Sequence, residues 1–219
     1  MDSDIRKSIS VVLTASLAAL AWYGSYLPMQ KSYAYINMLQ SLGNVQTWDQ
    51  FYQLATTPLE MVSPIGQEEL VRNFGGTVAM RIVQTNGSNP QIMDQIFEMV
   101  NRYMQPILAN GRGLSFNQNI YMMGALNQNA YLSTKDTKYL DAAEKYFLQG
   151  LTKSPSRPQF LYSLFDIYRT KGDKVKAREI ADKITAIWPD DTRVEEALRQ
   201  LDAITTASST PTTTKKKAQ

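Results

Sequence analysis

The sequence predicts an all-α protein in which an N-terminal transmembrane helix is followed by an array of α-helical hairpins. Three observations support this fold class. An uncharged, largely apolar segment covers 8–30, which is long enough to cross a bilayer as a helix. After it, apolar residues recur at helical spacing, and no long stretch alternates with the period of two that marks a strand. Finally, 139–155 and 173–189 align at an offset of 34 residues, a period typical of stacked helix–turn–helix units.

Composition and charge exclude several classes of function. Among 219 residues there is no cysteine and no histidine, so disulfides, thiolate chemistry and the commonest general base and metal ligand are all missing. The net charge is +3, but the three lysines at 215–217 belong to the 23 basic residues, which leaves 20 basic against 20 acidic residues elsewhere. A neutral body argues against a nucleic-acid partner. We therefore expect a protein that is not an enzyme, with no catalytic residue, metal site or cofactor.

The apolar segment has the flanks of a membrane-spanning helix. A basic pair (6–7) precedes it, and Trp22, Tyr23 and Tyr26 lie at its far end, where aromatic side chains suit the lipid headgroups. Basic residues prefer the cytoplasmic side. We therefore predict a single-pass membrane protein, anchored through residues 8–27, whose remaining chain is extracytoplasmic.

Two other interpretations of this segment remain open. The triplet Ala19-Leu20-Ala21 has the small-x-small form of a cleavage site and follows a short apolar core, so the segment is alternatively a signal peptide that is removed. The second alternative is a buried core helix, because the many Ala and Ser residues of the segment insert into lipid less strongly than Leu.

Turn residues divide the region 30–112 into helices. A first pair is predicted at 33–42 and 47–55, with Gly43 between them. Gly43 precedes Trp48 by five residues, just as Gly172 precedes Ala177 by five residues in the second clear repeat. This pair is therefore a candidate degenerate copy of the hairpin.

Proline and glycine mark the next two helices. Ser63-Pro64 predicts a helix start, because Ser caps free backbone N–H groups and Pro suits the first turn. Gly75-Gly76 should weaken this helix or let a neighbour approach closely. Asn89-Pro90 predicts the start of the following helix, and Pro106 is expected to end or kink it.

Two clear repeats follow at 113–190. Their helices are predicted at 116–132 and 138–152 in the first repeat and at 157–170 and 174–187 in the second. The first repeat is about seven residues longer than a 34-residue unit, so we expect a longer loop around 133–137. Small residues at Gly124, Ala143 and Ala177 would let paired helices approach, and packing in the core accounts for the pattern.

These repeats resemble the tetratricopeptide family. The matching positions are Ile120, Met123, Gly124, Ala143, Phe147 and Pro155 in the first repeat and Leu161, Leu164, Tyr168, Gly172, Ala177 and Pro189 in the second. Asn127, Phe165 and Ala181 depart from the family pattern. The resemblance implies stacked hairpins that bind a protein or peptide partner and act as a scaffold.

The order of the parts is similar to the C-terminal region of bacterial membrane proteins of the O-antigen ligase or polymerase type. The resemblance covers most of 8–190, including the segments SYAYINMLQSLGNVQTWDQFYQLAT and YLDAAEKYFLQGLTKSPSRPQFLYSLFDIYRTKGD. It implies surface-polysaccharide assembly as the context and glycan-assembly machinery as partner. It transfers no catalytic residue, because the chemistry of that family resides in a multi-helix membrane domain to which nothing in this sequence corresponds.

The candidate binding residues lie on the inner face of the first helix of each repeat. They are Gln118, Tyr121, Gln128, Asn129, Gln159, Tyr162, Asp166 and Arg169. Tyr and Arg are residue types that anchor interfaces, and the amides can bind peptide backbone or sugar hydroxyls. An ordinary polar surface is the alternative interpretation. Acidic pairs such as 68–69 and 195–196 diverge by about 100° on a helix, so charge at a helix start and a solvated face account for them. An enzyme with a carboxylate site is the third alternative.

A last helix, capped by Asp190-Asp191, is expected to close the array with a polar face. The Ser/Thr-rich end of the chain is expected to be disordered. The predicted segments are the spanning helix 1–29, a helical region with the degenerate repeat 30–112, two repeats 113–190, a capping helix 191–205 and a tail 206–219.

Overall fold

The structure is a computed structural model that describes residues 3–113 and 115–208. Every regular element in these ranges is a helix, which confirms the all-α prediction. The chain divides into two compact units. Unit 1 comprises Met1–Ile82 and Asn89–Asn119, and unit 2 comprises Val83–Ser88 and Ile120–Gln219.

The N-terminal helix extends beyond the apolar segment. α1 (Ser3–Ala21) passes through a π-helical turn (Trp22–Tyr26) directly into α2 (Leu27–Ser41), so the helix expected at 33–42 continues the candidate membrane span. The apolar side chains of α1 are exposed, and none of the stretch that is apolar enough to cross a bilayer is buried against the protein. By length and composition, this helix is a candidate membrane span.

Four α-helices follow α2 in the chain before the predicted hairpins. They are α3 (Trp48–Glu60), α4 (Gln67–Asn73), α5 (Met80–Asn86) and α6 (Pro90–Asn110). Side-chain oxygens of Thr47 and Asn89 accept hydrogen bonds from the first turns of α3 and α6 and so fix where these helices begin. Within unit 1, α2 packs on α3, and α4 packs on α6. The core of unit 1 includes Met38, Phe51, Ala55, Phe74, Met93, Ile96 and Met104.

Local predictions in unit 1 fail where the backbone geometry overrides the sequence signal. The helix expected at Ser63-Pro64 begins three residues later at Gln67, because Gly66 at the N-cap has a φ of 88°, which glycine adopts without strain. Pro106 does not end α6, which continues to Asn110, and a kink at Pro106 stays a prediction. Trp48 is the half-buried first residue of α3. It therefore does not occupy the position inside the second helix where the later repeats have a small residue. Gly75-Gly76 lies in a π-helical segment, Phe74–Ala79, which is wider than a regular α-helix. The regular α-helical hydrogen bonding is therefore interrupted where the glycine pair was expected to weaken the helix.

Unit 2 contains the predicted hairpins. Its helices are α7 (Phe116–Thr134), whose first turn belongs to unit 1, α8 (Thr137–Lys153), α9 (Pro158–Lys171), α10 (Lys174–Ile187) and α11 (Thr192–Ser208). The four repeat helices begin and end within two residues of the predicted bounds. The last helix reaches Ser208, three residues past its expected end, and 209–219 lie outside the described residues.

The extra residues of the first hairpin are helical and do not form the expected loop. α7 and α8 contain 19 and 17 residues, whereas α9 and α10 contain 14 each. Each helix of the first hairpin is therefore about one turn longer. Only Lys135 and Asp136 connect α7 to α8, just as Gly172 and Asp173 connect α9 to α10. In both turns the aspartate caps the second helix, and the preceding residue is left-handed, with φ of 61° and 70°.

Two glycines and an aromatic cluster let the hairpins pack closely. A Cβ placed on Gly124 would lie 2.3 Å from Cε1 of Phe147, and one on Gly150 would lie 2.3 Å from Cε1 of Phe160. The ring of Tyr121 lies 5.7 Å from that of Phe147 and 6.1 Å from that of Phe160. The close approach that Gly124 was expected to permit is therefore present, and Gly150 provides a second one between α8 and α9.

Candidate functional site

Four predicted binding residues share one face of α9. Gln159, Tyr162, Asp166 and Arg169 are spaced by three and four residues, which places their side chains along one side of the helix. Gln159 and Asp166 are exposed, whereas Tyr162 and Arg169 are half-buried. Arg169 Nη1 lies 3.5 Å from Asp166 Oδ1, and its guanidinium stands 5.6 Å over the ring of Phe165. The helix thus presents a continuous surface of an amide, a phenol and an ion pair.

The four predicted residues on α7 are less available for a partner. Gln118 accepts a hydrogen bond from the arginine of α4 within unit 1. Tyr121 packs its ring into the aromatic cluster described above. Asn129 accepts a hydrogen bond from Gln84 Nε2 at 3.0 Å, and Gln128 is half-buried. Three of these four side chains contact other helices, whereas the hydrogen bond to Gln159 and the Asp166–Arg169 pair lie within α9 and its N-cap, so α7 offers a weaker surface than α9.

An open cleft adjoins the N-terminal part of α9, and sequence reasoning missed it. Its volume is about 550 Å³, and it lies where α9 meets the link between α10 and α11. The lining residues are Pro158, Tyr162, Trp188, Asp190, Asp191, Thr192 and Arg193. This volume falls in the range of about 300–1,000 Å³ that is typical of binding pockets.

A single carboxylate organises the side chains of the cleft. The rings of Tyr162 and Trp188 have centroids 6.1 Å apart and planes 30° from parallel. Arg193 donates from Nε and Nη2 to Oδ1 and Oδ2 of Asp191 at 2.8 and 2.7 Å, and the Tyr162 hydroxyl also donates to Asp191. The Arg193 guanidinium stands 5.7 Å over the Tyr162 ring. The Asp191 side chain is only 9% exposed, whereas that of Arg193 is 80% exposed, so the cleft holds a fixed cation against an aromatic wall.

Hydrogen bonding sets the charge state of these groups. Hydrogen bonds, first from Arg193 and then from Tyr162, hold the pKa of Asp191 well below its ordinary value. Burial, and then the hydrogen bond to Asp191, raise the pKa of the Tyr162 phenol. At neutral pH the carboxylate is therefore ionised and the phenol neutral. A carboxylate with a lowered pKa is a poor general base at that pH, so this arrangement suits binding better than proton transfer.

Part of the signal for the cleft is present in the sequence. Trp188 directly precedes Pro189, which closes the second repeat. The pair Asp190-Asp191 is predicted only to cap the last helix, and Asp191 does accept a hydrogen bond from the backbone N–H of Arg193. Its contact with Tyr162, 29 residues earlier in the chain, depends on how the helices pack.

Among the described residues, no group of three or more carboxylates is placed to hold a metal ion.

Comparisons with other proteins leave the family open. No protein-family model, curated protein or solved structure matches the chain. The resemblances to tetratricopeptide repeats and to proteins of the O-antigen ligase or polymerase type therefore stay predictions from the sequence.

Proposed function

We propose that this protein is a membrane-anchored scaffold that binds a protein or peptide partner through the face of α9 and the adjoining cleft, without catalysing a reaction. One arrangement supports this function: the polar face of α9 leads into an open cleft with an aromatic wall and an exposed Arg193 that Asp191 holds in place. Trp, Tyr and Arg are enriched among the residues that contribute most to protein interfaces. Side chains already ordered in the free protein lose little entropy on binding.

Site-specific photo-cross-linking of the full chain in its native membrane tests this surface. A photoreactive residue at exposed Gln159 or Asp166 is expected to yield one discrete adduct with a partner. The matched control is Lys183, an exposed residue of α10 in the same unit. Adducts of equal yield from all three positions, or from none of them, would argue against binding at α9.

The aromatic wall makes a quantitative prediction for the purified partner. Trp188→Ala should weaken binding by about 2 kcal/mol, or roughly 30-fold, because a buried aromatic anchor typically contributes this much. Ile187→Ala is the control, since this neighbouring exposed side chain does not line the cleft. Titration calorimetry measures both, with circular dichroism to show that each variant is folded. A loss for Ile187→Ala as large as that for Trp188→Ala would exclude a specific role for the wall.

A second candidate function is accessory binding in cell-surface polysaccharide assembly, alongside glycan-assembly machinery. The Tyr162–Trp188 wall supports this alternative as well, because aromatic faces pack against the apolar faces of sugar rings. With Trp22 and Trp48 replaced by Phe, the fluorescence of Trp188 reports on the cleft alone. A change on adding oligosaccharide but not partner peptide would favour the polysaccharide function, and the reverse would favour the protein partner.

Membrane orientation is part of the proposal, with the N-terminus cytoplasmic and unit 2 outside. Because the sequence contains no cysteine, a single introduced cysteine can be labelled without background. A membrane-impermeant maleimide should label Lys183→Cys in intact cells but label Asp4→Cys only after lysis. The opposite pattern would reverse the orientation.

A further inference from the structure

The link between α3 and α4 exposes an unusual amount of apolar surface. Residues 61–66 read MVSPIG and carry no charge. Val62 is 79% exposed, more than any other large apolar side chain among the described residues, and Ile65 is 60% exposed. Two large apolar side chains exposed three residues apart on an uncharged link form a candidate contact surface.

This link is fastened to the continuation of the candidate span. Lys31 on α2 is only 3% exposed, and its Nζ donates to the carbonyl oxygen of Met61 at 2.7 Å and to the side-chain oxygen of Gln67. Inside the link, Ser63 Oγ donates to the carbonyl oxygen of Ile65 at 2.7 Å. Because hydrogen bonds from Lys31 hold both ends of the link against α2, the side chains of the link are exposed in a fixed conformation.

The attachment point lies close to the end of the candidate span. Lys31 is five residues beyond Tyr26, or about 7.5 Å along the helix axis, and helical side chains point back towards the N-terminus, here towards the membrane. Ile65 lines the same groove as Pro28, which lies about 3 Å beyond Tyr26. The headgroup layer on each side of a bilayer is about 5–8 Å thick. The point where the link attaches to α2 therefore lies at the level of the headgroups when the aromatic residues mark the end of the hydrocarbon core.

We propose that Val62 and Ile65 insert into the lipid interface beside the spanning helix and form a second membrane contact. This inference rests on the membrane anchoring of the proposed function. The lipid surface fits as the occupant because the link carries no charge, exposes Val62 and Ile65, and is attached just beyond the end of the span. Burial in the interface would remove these apolar side chains from water. Two attachment points fix the rotation of unit 1 about the axis of the helix, which a single span leaves free.

Spin labels on single cysteines test the depth of the link in the full chain. The protein is reconstituted in vesicles of phosphatidylcholine and phosphatidylglycerol, with a label at Val62→Cys or Ile65→Cys. Collision with oxygen, which concentrates in lipid, is compared with collision with a water-soluble nickel complex. Leu13→Cys reports the span itself, and Val175→Cys, a valine of unit 2 that is 70% exposed, is the matched aqueous control.

The labels at 62 and 65 are expected to favour collision with oxygen, as the label at 13 does, whereas the label at 175 favours the nickel complex. If 13 favours oxygen while 62 and 65 behave like 175, the second contact is refuted and the span stands. If 13 also behaves like 175, both the span and the second contact are refuted. Labels at 62 and 65 that are shielded from both collision partners would indicate a protein contact and overturn the assignment to lipid.

Discussion

Individual glycines set how closely the hairpins of unit 2 pack. A Cβ on Gly124 would overlap the ring of Phe147, which is fully buried. Gly124→Ala should therefore lower the free energy of unfolding by about 1–3 kcal/mol, the usual cost of overpacking a core. Gly43→Ala is the control, because the space around Gly43 is open, and its effect should stay within about 0.5 kcal/mol. Urea denaturation of the reconstituted protein measures both, and similar losses would contradict the packing argument.

Asp191 should make the stability of unit 2 depend on pH. Because its pKa is lower in the folded protein, its contribution is fully present above the ordinary Asp pKa of about 3.9. This contribution is lost as the pH falls through the folded value. Asp191→Asn should therefore lower the melting temperature at pH 7. The difference in melting temperature between this variant and the natural protein should shrink below about pH 4. Circular dichroism melts across this range test the prediction. Asp190→Asn, a change at the exposed neighbour, is the control for the loss of one negative charge.

At the scale of the element, the turn of each hairpin depends on a left-handed residue before a capping aspartate. Gly172 holds a φ of 70° with nothing near its Cβ position, so a substitution there acts through the backbone alone. Gly172→Ala should cost about 1–2 kcal/mol of unfolding free energy. Gly172→Asn should cost less, since Asn tolerates this conformation better. Chemical denaturation compares the two, and equal losses would show that the turn geometry is not what limits stability.

The hairpins are further joined by a charge network at the surface, in which only Glu144 is largely buried. Lys171 Nζ lies 2.5 Å from both Asp141 Oδ1 and Glu144 Oε2, and Lys176 Nζ lies 3.4 Å from Glu144 Oε1. Burial raises the pKa of Glu144, but the hydrogen bonds from Lys171 and Tyr168 and the nearby positive charges outweigh it, so the pKa is lowered overall. This network ties α8 to α9 and α10, and it adds to the close contact that Gly150 permits between α8 and α9.

For the whole molecule, the exposed N-terminal helix should decide where the protein resides. Leu13 and Leu17 are 58% and 65% exposed near the middle of the candidate span. Replacing both with Arg should cost about 5–7 kcal/mol of insertion free energy and release the protein from membranes on alkaline carbonate extraction. The control replaces Leu148 and Val175, exposed residues of unit 2, with Arg and should remain in the membrane fraction. Release of both variants, or of neither, would contradict a single span at α1.

Local interactions explain what could be predicted from the sequence. The all-α class and the bounds of the four repeat helices follow from apolar periodicity and from caps such as Asp136 and Asp173, which act within a few residues. The face of α9 was predictable for the same reason, since Tyr162 and Arg169 share it by spacing alone. The two-residue link between α7 and α8 was not, because Lys135 adopts a left-handed conformation that its residue type does not announce.

The sequence by itself determined a helical chain with a candidate membrane span, paired hairpins and a polar face on α9, because these properties depend on residues within one or two turns of each other. The tertiary structure alone decided that Asp191 joins Tyr162 to Arg193, that Lys31 holds the link after Met61, and that the polar groups of α7 are mostly engaged. The first two contacts join residues about 30 positions apart in the chain. These contacts form only when the helices pack together. Residue spacing along the sequence predicts which side chains share a helix face, but not which helices come into contact.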